Sequence, residues 1–204
     1  MRKLKYILAS VVLATGFASC ETEAIDEKVK DEAIPGNPIL RFDFNNQQTI
    51  VTDKVTVDWE GGSSFVIRAK LSIPNLENND TINNIEKYLA ANLSISYNVL
   101  TLGHFPTKLS LEELGNNTSM ATLDIQYIEY DEEKPVRTWV KYSTYYAAEN
   151  QETGFSNITR INDNDGARYL DGNFEYIVYP NPDNVIGKMQ PLRLSTGSYY
   201  YVNY

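Results

Sequence analysis

From residue 39 onward, apolar and polar residues alternate at period two through most of the chain, the mark of half-buried strands. Ile39–Phe44 opens the series, and Asn45-Asn46 supplies turn chemistry after it. Ile50–Trp59 follows with Val51, Val55, Val57 and Trp59, β-branched or aromatic residues that suit a pleated surface. Gly61-Gly62 breaks that run, Ser64–Ile73 resumes it and Pro74 ends it. Leu93–Leu102, Ala121–Tyr130, Val136–Tyr146, Phe155–Ile161, Arg168–Tyr179 and Met189–Tyr204 carry the same signal. The polar turns Asp131–Pro135 and Asn162–Gly166 join two pairs of these strands as hairpins.

Two short segments read differently. In Asn83–Asn92, Asn83 and Glu86 have capping-box spacing, and Ile82, Ile85 and Leu89 fall on one helical face, which predicts a short helix. Leu109–Leu114 repeats the capping spacing with Ser110 and Glu113, and Gly115 can end one helical turn there. The expected fold is all-β: a single antiparallel β-sandwich or barrel of about nine strands with one short helix.

Ahead of this domain the pattern changes. Arg2, Lys3 and Lys5 precede an apolar run from Tyr6 to Phe17, followed by Ala18, Ser19 and the only cysteine, Cys20. A basic start, a short apolar stretch and small residues before a break make a secretory signal, since a bilayer span needs about 20 apolar residues. Phe17-Ala18-Ser19-Cys20 resembles the lipobox of bacterial lipoproteins. That resemblance implies a lipid on the Cys20 thiol and cleavage just before it. The chain then divides into a signal peptide over 1–19, a lipidated cysteine with an acidic tether over 20–38, and the β domain over 39–204. Glu21–Pro38 has no aromatic residue and ends in Pro-Gly-Asn-Pro, so it cannot offset the entropy of ordering. As a soft linker it reaches about 25 Å. The acids close behind Cys20 resemble the acidic export signals of Bacteroidota surface lipoproteins.

Charge narrows the partners. The formal net charge is −9, and loss of Arg2, Lys3 and Lys5 with the leader takes it to −12. A chain this acidic is repelled by phosphate backbones and anionic headgroups, which excludes nucleic acid as the expected partner. Membrane attachment therefore rests on the lipid at Cys20, and the expected location is the cell envelope, at the outer membrane. With one cysteine, the exported domain has no disulfide and must hold itself by its core.

A connected set of residues near the end carries a second resemblance. Ile158-Thr159, Asp163, Leu170-x-Gly172-x-Phe174, Leu192-x-Leu194, Gly197, Tyr199 and Val202-x-Tyr204 look like the tail of a family of Bacteroidota lipoproteins with a domain of unknown function. The resemblance implies a fold and a location, and no activity. The recurring glycines and aromatics read as structural, packing one face of a sheet.

Chemistry is thin. His104 is the only histidine, and no G-x-S-x-G elbow occurs after the leader, so a serine triad is not expected. One histidine and one modified cysteine leave no set of ligands for zinc or copper. Asn162–Gly166 is rich in oxygen ligands but fails the EF-hand spacing, so no metal or cofactor is expected. Asp80-Thr81-Ile82 resembles the O-glycosylation site of Bacteroidota exported proteins, which marks Thr81. The 15 tyrosines are the remaining signal. Tyr142, Tyr146, Tyr199 and Tyr201 lie in consecutive runs on two strands, where alternate residues face opposite sides. Those on the outside would suit stacking against sugar rings or a protein partner. The expected function is a non-enzymatic binding or scaffolding lipoprotein of the envelope, its partner a glycan or an envelope protein. The alternative is a carbohydrate-active or other hydrolytic lipoprotein using carboxylates that the sequence does not single out.

Overall fold

Period two becomes eleven strands. The computed structural model describes residues 37–75, 88–107, 117–131, 134–164, 167–184 and 189–204, all within a unit running Pro35–Tyr204. In chain order the strands are β1 (Ile39–Phe44), β2 (Gln48–Thr52), β3 (Val55–Gly61), β4 (Ser64–Pro74), β5 (Tyr88–Tyr97) and β6 (Gly103–Pro106). There follow β7 (Ser119–Asp131), β8 (Lys134–Ser143), β9 (Gly154–Asn164), β10 (Ala167–Pro180) and β11 (Leu192–Asn203). The leader, Cys20, the tether to residue 36, Thr81 and Leu109–Leu114 fall outside the described residues.

The architecture is an all-β antiparallel sandwich. One hydrogen-bonded path runs β2-β1-β11-β10-β8-β7-β5-β4-β3 without closing on itself. It folds into two layers. Sheet I holds β2, β1, β11, β10, β9 and β6, and sheet II holds β3, β4, β5, β7 and β8. The layers meet where the last residues of β10, Tyr179 and Pro180, pair with Ser143 and Tyr142 of β8. They are tied again where the chain passes from β2 to β3. There Lys70 donates its N–H to the Lys54 carbonyl, and Thr52 Oγ1 donates to the Lys70 carbonyl at 2.9 Å.

Three sequence expectations change. The predicted strand Ile50–Trp59 is two strands, broken at Asp53-Lys54 where the chain changes sheets. Gly103–Pro106, outside every predicted strand, is an edge strand on β9. The helix expected over Asn83–Asn92 is contradicted at 88–92, which begin β5; 83–87 fall outside the described residues. Leu89 fitted a helical face, but Leu89, Ala91, Leu93, Ile95 and Tyr97 are all buried at period two. Tertiary burial of that face wins over a local capping signal.

The core lies between the layers. Phe42 and Phe44 of β1, Phe65 and Ile67 of β4, Leu93 and Ile95 of β5, and Leu170, Phe174, Tyr176 and Val178 of β10 are all buried. Phe174 stacks on Tyr176 with centroids 5.5 Å apart and tilts against Phe42 at 6.1 Å. Two glycines admit rings onto the backbone. A Cβ on Gly172 would overlap the Tyr199 ring and the Asn157 carbonyl, and one on Gly197 would overlap the Phe174 ring. Next to Gly172, the ladder between β10 and β11 slips, leaving Tyr201 unpaired with φ +53°. The buried Asp171 carboxylate accepts the Tyr201 N–H at 2.8 Å, so the bulge leaves no orphaned donor.

Buried tyrosine hydroxyls bridge the two layers. Tyr97 of sheet II is hydrogen-bonded to Tyr199 of sheet I at 3.0 Å and to Ser156. Tyr176 donates to Ser119 Oγ at 3.0 Å. Burial is the largest cause holding all three phenols above their ordinary pKa.

Candidate functional site

Each sheet turns a polar face outward, and the two faces differ in how their side chains are used. On sheet I the register aligns His104, Asn157, Asn173, Ser198 and Arg41 across five strands. That row is largely satisfied from within. His104 Nδ1 is hydrogen-bonded to Asn157 Oδ1 at 2.8 Å, and Asn157 Nδ2 donates to Asn173 Oδ1 at 2.7 Å. The His104 ring also lies against Phe155 at 5.1 Å. Nearby, Arg193 pairs with Glu175, and Arg160 lies over the Tyr169 ring at 5.0 Å.

The outer face of sheet II is built otherwise. Leu89, Leu93, Ile95 and Tyr97 of β5 face inward, and after Tyr88 its outward residues Ala90, Asn92, Ser94 and Ser96 are small. Because β5 lies between β4 and β7, these small residues make a trough along the sheet. At one level the trough is crossed by Arg68, which donates from Nε to Asp58 at 2.6 Å and from Nη1 to Ser94 Oγ at 3.3 Å, and pairs with Glu60. At the next level the register aligns Lys70, Asn92, Asp124 and Lys141 on four successive strands, β4, β5, β7 and β8. One level further, Gln126 faces Trp139, whose side chain is half exposed.

Half of the central row is unspent. The side chains of Lys54, Lys70 and Asn92 make no hydrogen bond or salt bridge with any described residue. Asp124 is half-buried. Burial raises its carboxyl pKa, against a smaller lowering by Lys141. A hollow of about 590 Å³ lies over this part of the face, lined among others by Lys54, Thr56, Arg68, Lys70, Asn92 and Asp124. A second hollow of about 640 Å³, between β2 and the end of β4, shares Asp53, Lys54 and Lys70 with it. Donors and acceptors fixed on strands above a floor of small side chains can receive a polar, extended ligand without rearrangement.

The tyrosines marked in the sequence divide. Tyr142 and Tyr199 are fully buried, so the expectation that they offer a surface to a ligand is wrong. Each faces the core, and its hydroxyl is spent there, that of Tyr142 on Tyr127 at 3.0 Å and on Met189. Tyr201 is half-buried on the outside of sheet I, its ring tilted against Tyr169 at 5.1 Å. Tyr146 closes a single 3-10 turn, Thr144–Tyr146, after β8. Burial raises its pKa first, and the Asp124 carboxylate adds to that, so this one of the four lies beside the trough. Sequence reading missed Lys70, Asn92, Asp124, Trp139 and Lys141. The available signal was the run Ala90-x-Asn92-x-Ser94-x-Ser96, small and polar at period two beside an apolar partner face.

Comparison with protein-family models, curated proteins and solved structures found no match to this chain.

Proposed function

We propose that the protein is a cell-envelope lipoprotein, anchored through Cys20 at the outer membrane, whose β domain binds an extended, hydroxyl-rich ligand on the outer face of sheet II. The observation that carries the binding face is the aligned row Lys70–Asn92–Asp124–Lys141, in which the side chains of Lys70 and Asn92 are unspent, with Trp139 one level away on β8. A glycan suits such a face. Its hydroxyls match the planar amide of Asn92 and the carboxylate of Asp124, and a half-exposed indole offers its ring to the apolar side of a sugar. The anchor rests on the leader and on its resemblance to the lipobox.

Binding is favoured over hydrolysis by spacing. Asp58 and Glu60 are engaged by Arg68. Asp53 and Asp124 line the same hollow, but Asp53 precedes Lys54, the partner of Lys70 on β4, and Asp124 is on β7. That separation is about three strand spacings, roughly 14 Å, against the roughly 5–9.5 Å between carboxyls that glycoside hydrolysis uses. Two experiments test the reading. Trp139→Ala should lower glycan affinity measured by calorimetry while leaving the thermal midpoint unchanged, because the ring is half exposed; unchanged affinity would remove Trp139 from the site. Cys20→Ser should abolish labelling by radioactive fatty acid and release the protein from the membrane fraction. A wild type that is already unlabelled and soluble would overturn the anchor.

A further inference from the structure

We infer that the ligand of this face is an acidic glycan, one whose carboxylated residues are spaced by neutral ones. The inference rests on the proposed binding face and adds the charge pattern of what it holds. Four arginines are already matched within the protein: Arg68 with Asp58 and Glu60, Arg160 with Asp171, Arg168 with Asp163, and Arg193 with Glu175. Lys54 and Lys70 are unmatched among the described residues, and these two line both hollows. Asp53 lines both hollows as well, and two unmatched ammonium groups against its one carboxylate leave a local site for an anion on an acidic chain.

The order of groups across the face sets the pattern. Lys70 stands at one end of the row and Lys141 at the other, with Asn92 and then Asp124 between them. Three strand spacings separate the two lysines, about 14 Å. A chain of sugar rings crossing the strands would place negative groups near Lys70 and Lys141. Between them, Asn92 and Asp124 face a stretch that must be neutral. A carboxylate there would meet the Asp124 carboxylate, which is already poorly hydrated; a hydroxyl would donate to it. A uniformly anionic chain therefore fits less well than one alternating acidic and neutral residues. An acidic peptide could supply the charges, but it lacks the hydroxyls that the centre of the row calls for.

Calorimetric titration of the mature chain carrying Cys20→Ser separates these cases. The probes are a hyaluronan hexasaccharide, which alternates uronate and neutral residues, a neutral chitohexaose, and hexaglutamate. The expected result is that the hyaluronan hexamer binds most tightly and that added salt weakens it. Lys70→Gln and Lys141→Gln should each cost it about twofold to fivefold, as for exposed ion pairs, and cost chitohexaose binding less. Equal affinity for hyaluronan and chitohexaose would overturn the acidic-ligand inference and leave the glycan-binding face standing. Hexaglutamate binding as tightly as hyaluronan would overturn the inference in favour of a protein partner. Absence of binding by all three would overturn both the inference and the proposed face.

Discussion

At the scale of single residues, the closest fits in the molecule are between glycine and ring. Gly172 and Gly197 lie under Tyr199 and Phe174, so each glycine is where a buried aromatic crosses the backbone of a neighbouring strand. Gly172→Ala should therefore destabilise the domain, because the methyl would have to displace both a ring and a carbonyl of β9. Phe174→Ala should cost about 3–5 kcal/mol from lost burial and the cavity left behind. Urea denaturation of both variants checks this, and a near-neutral Gly172→Ala would show that the ring can move aside. The sequence made these residues legible, because a buried strand face repeats Leu170, Phe174, Tyr176 and Val178 at even spacing. Alternation reaches its limit at Tyr179. Alternation puts Tyr179 on the other face, where truncation should be mild. At the joint between the sheets, though, that face is also covered, and the Tyr179 hydroxyl donates to the Glu152 carbonyl at 2.9 Å.

At the scale of elements, strand character was readable almost throughout, and failures fell where the chain changes sheets or ends a pattern early. Asp53-Lys54 breaks one alternating run because β2 and β3 belong to different layers, which period two does not report. β6 is only four residues long and pairs with β9 alone among the strands, too short to show a period. β5 was half hidden by a capping signal just ahead of it. What joins the elements across the core is the set of tyrosines Tyr97, Tyr176 and Tyr199, and this gives a pH prediction. Their folded pKa values lie above the unfolded value of about 10, so the neutral phenols contribute stability that is fully present below pH about 10. That contribution is lost as pH rises above it, because the unfolded chain ionises first. Tyrosinate absorbance followed with circular dichroism should show these three ionising only together with unfolding. Ionisation of every tyrosine before the sheet signal changes would place their hydroxyls within reach of solvent.

At the scale of the whole molecule, the fold presents two polar faces of opposite economy. Sheet I uses its outer polar groups on one another, and sheet II leaves the middle of its face unspent. The fold class was legible from alternation, and the proposed location rests on the leader alone. The site was not legible, because it depends on register. Lys70, Asn92, Asp124 and Lys141 are far apart in sequence and become one row only when four strands pair as they do. The tyrosine count pointed to the wrong positions for a related reason: alternation says that neighbours face opposite sides, and it does not say which side is the core. The most direct test of the central claim is to map amide chemical-shift changes on the isotope-labelled mature chain carrying Cys20→Ser, titrated with the hyaluronan hexasaccharide. Changes centred on β4, β5, β7 and β8 around Lys70, Asn92, Asp124 and Lys141 are the predicted result, with the row His104–Asn157–Asn173 silent. Changes centred on sheet I, or none at saturating ligand, would contradict it.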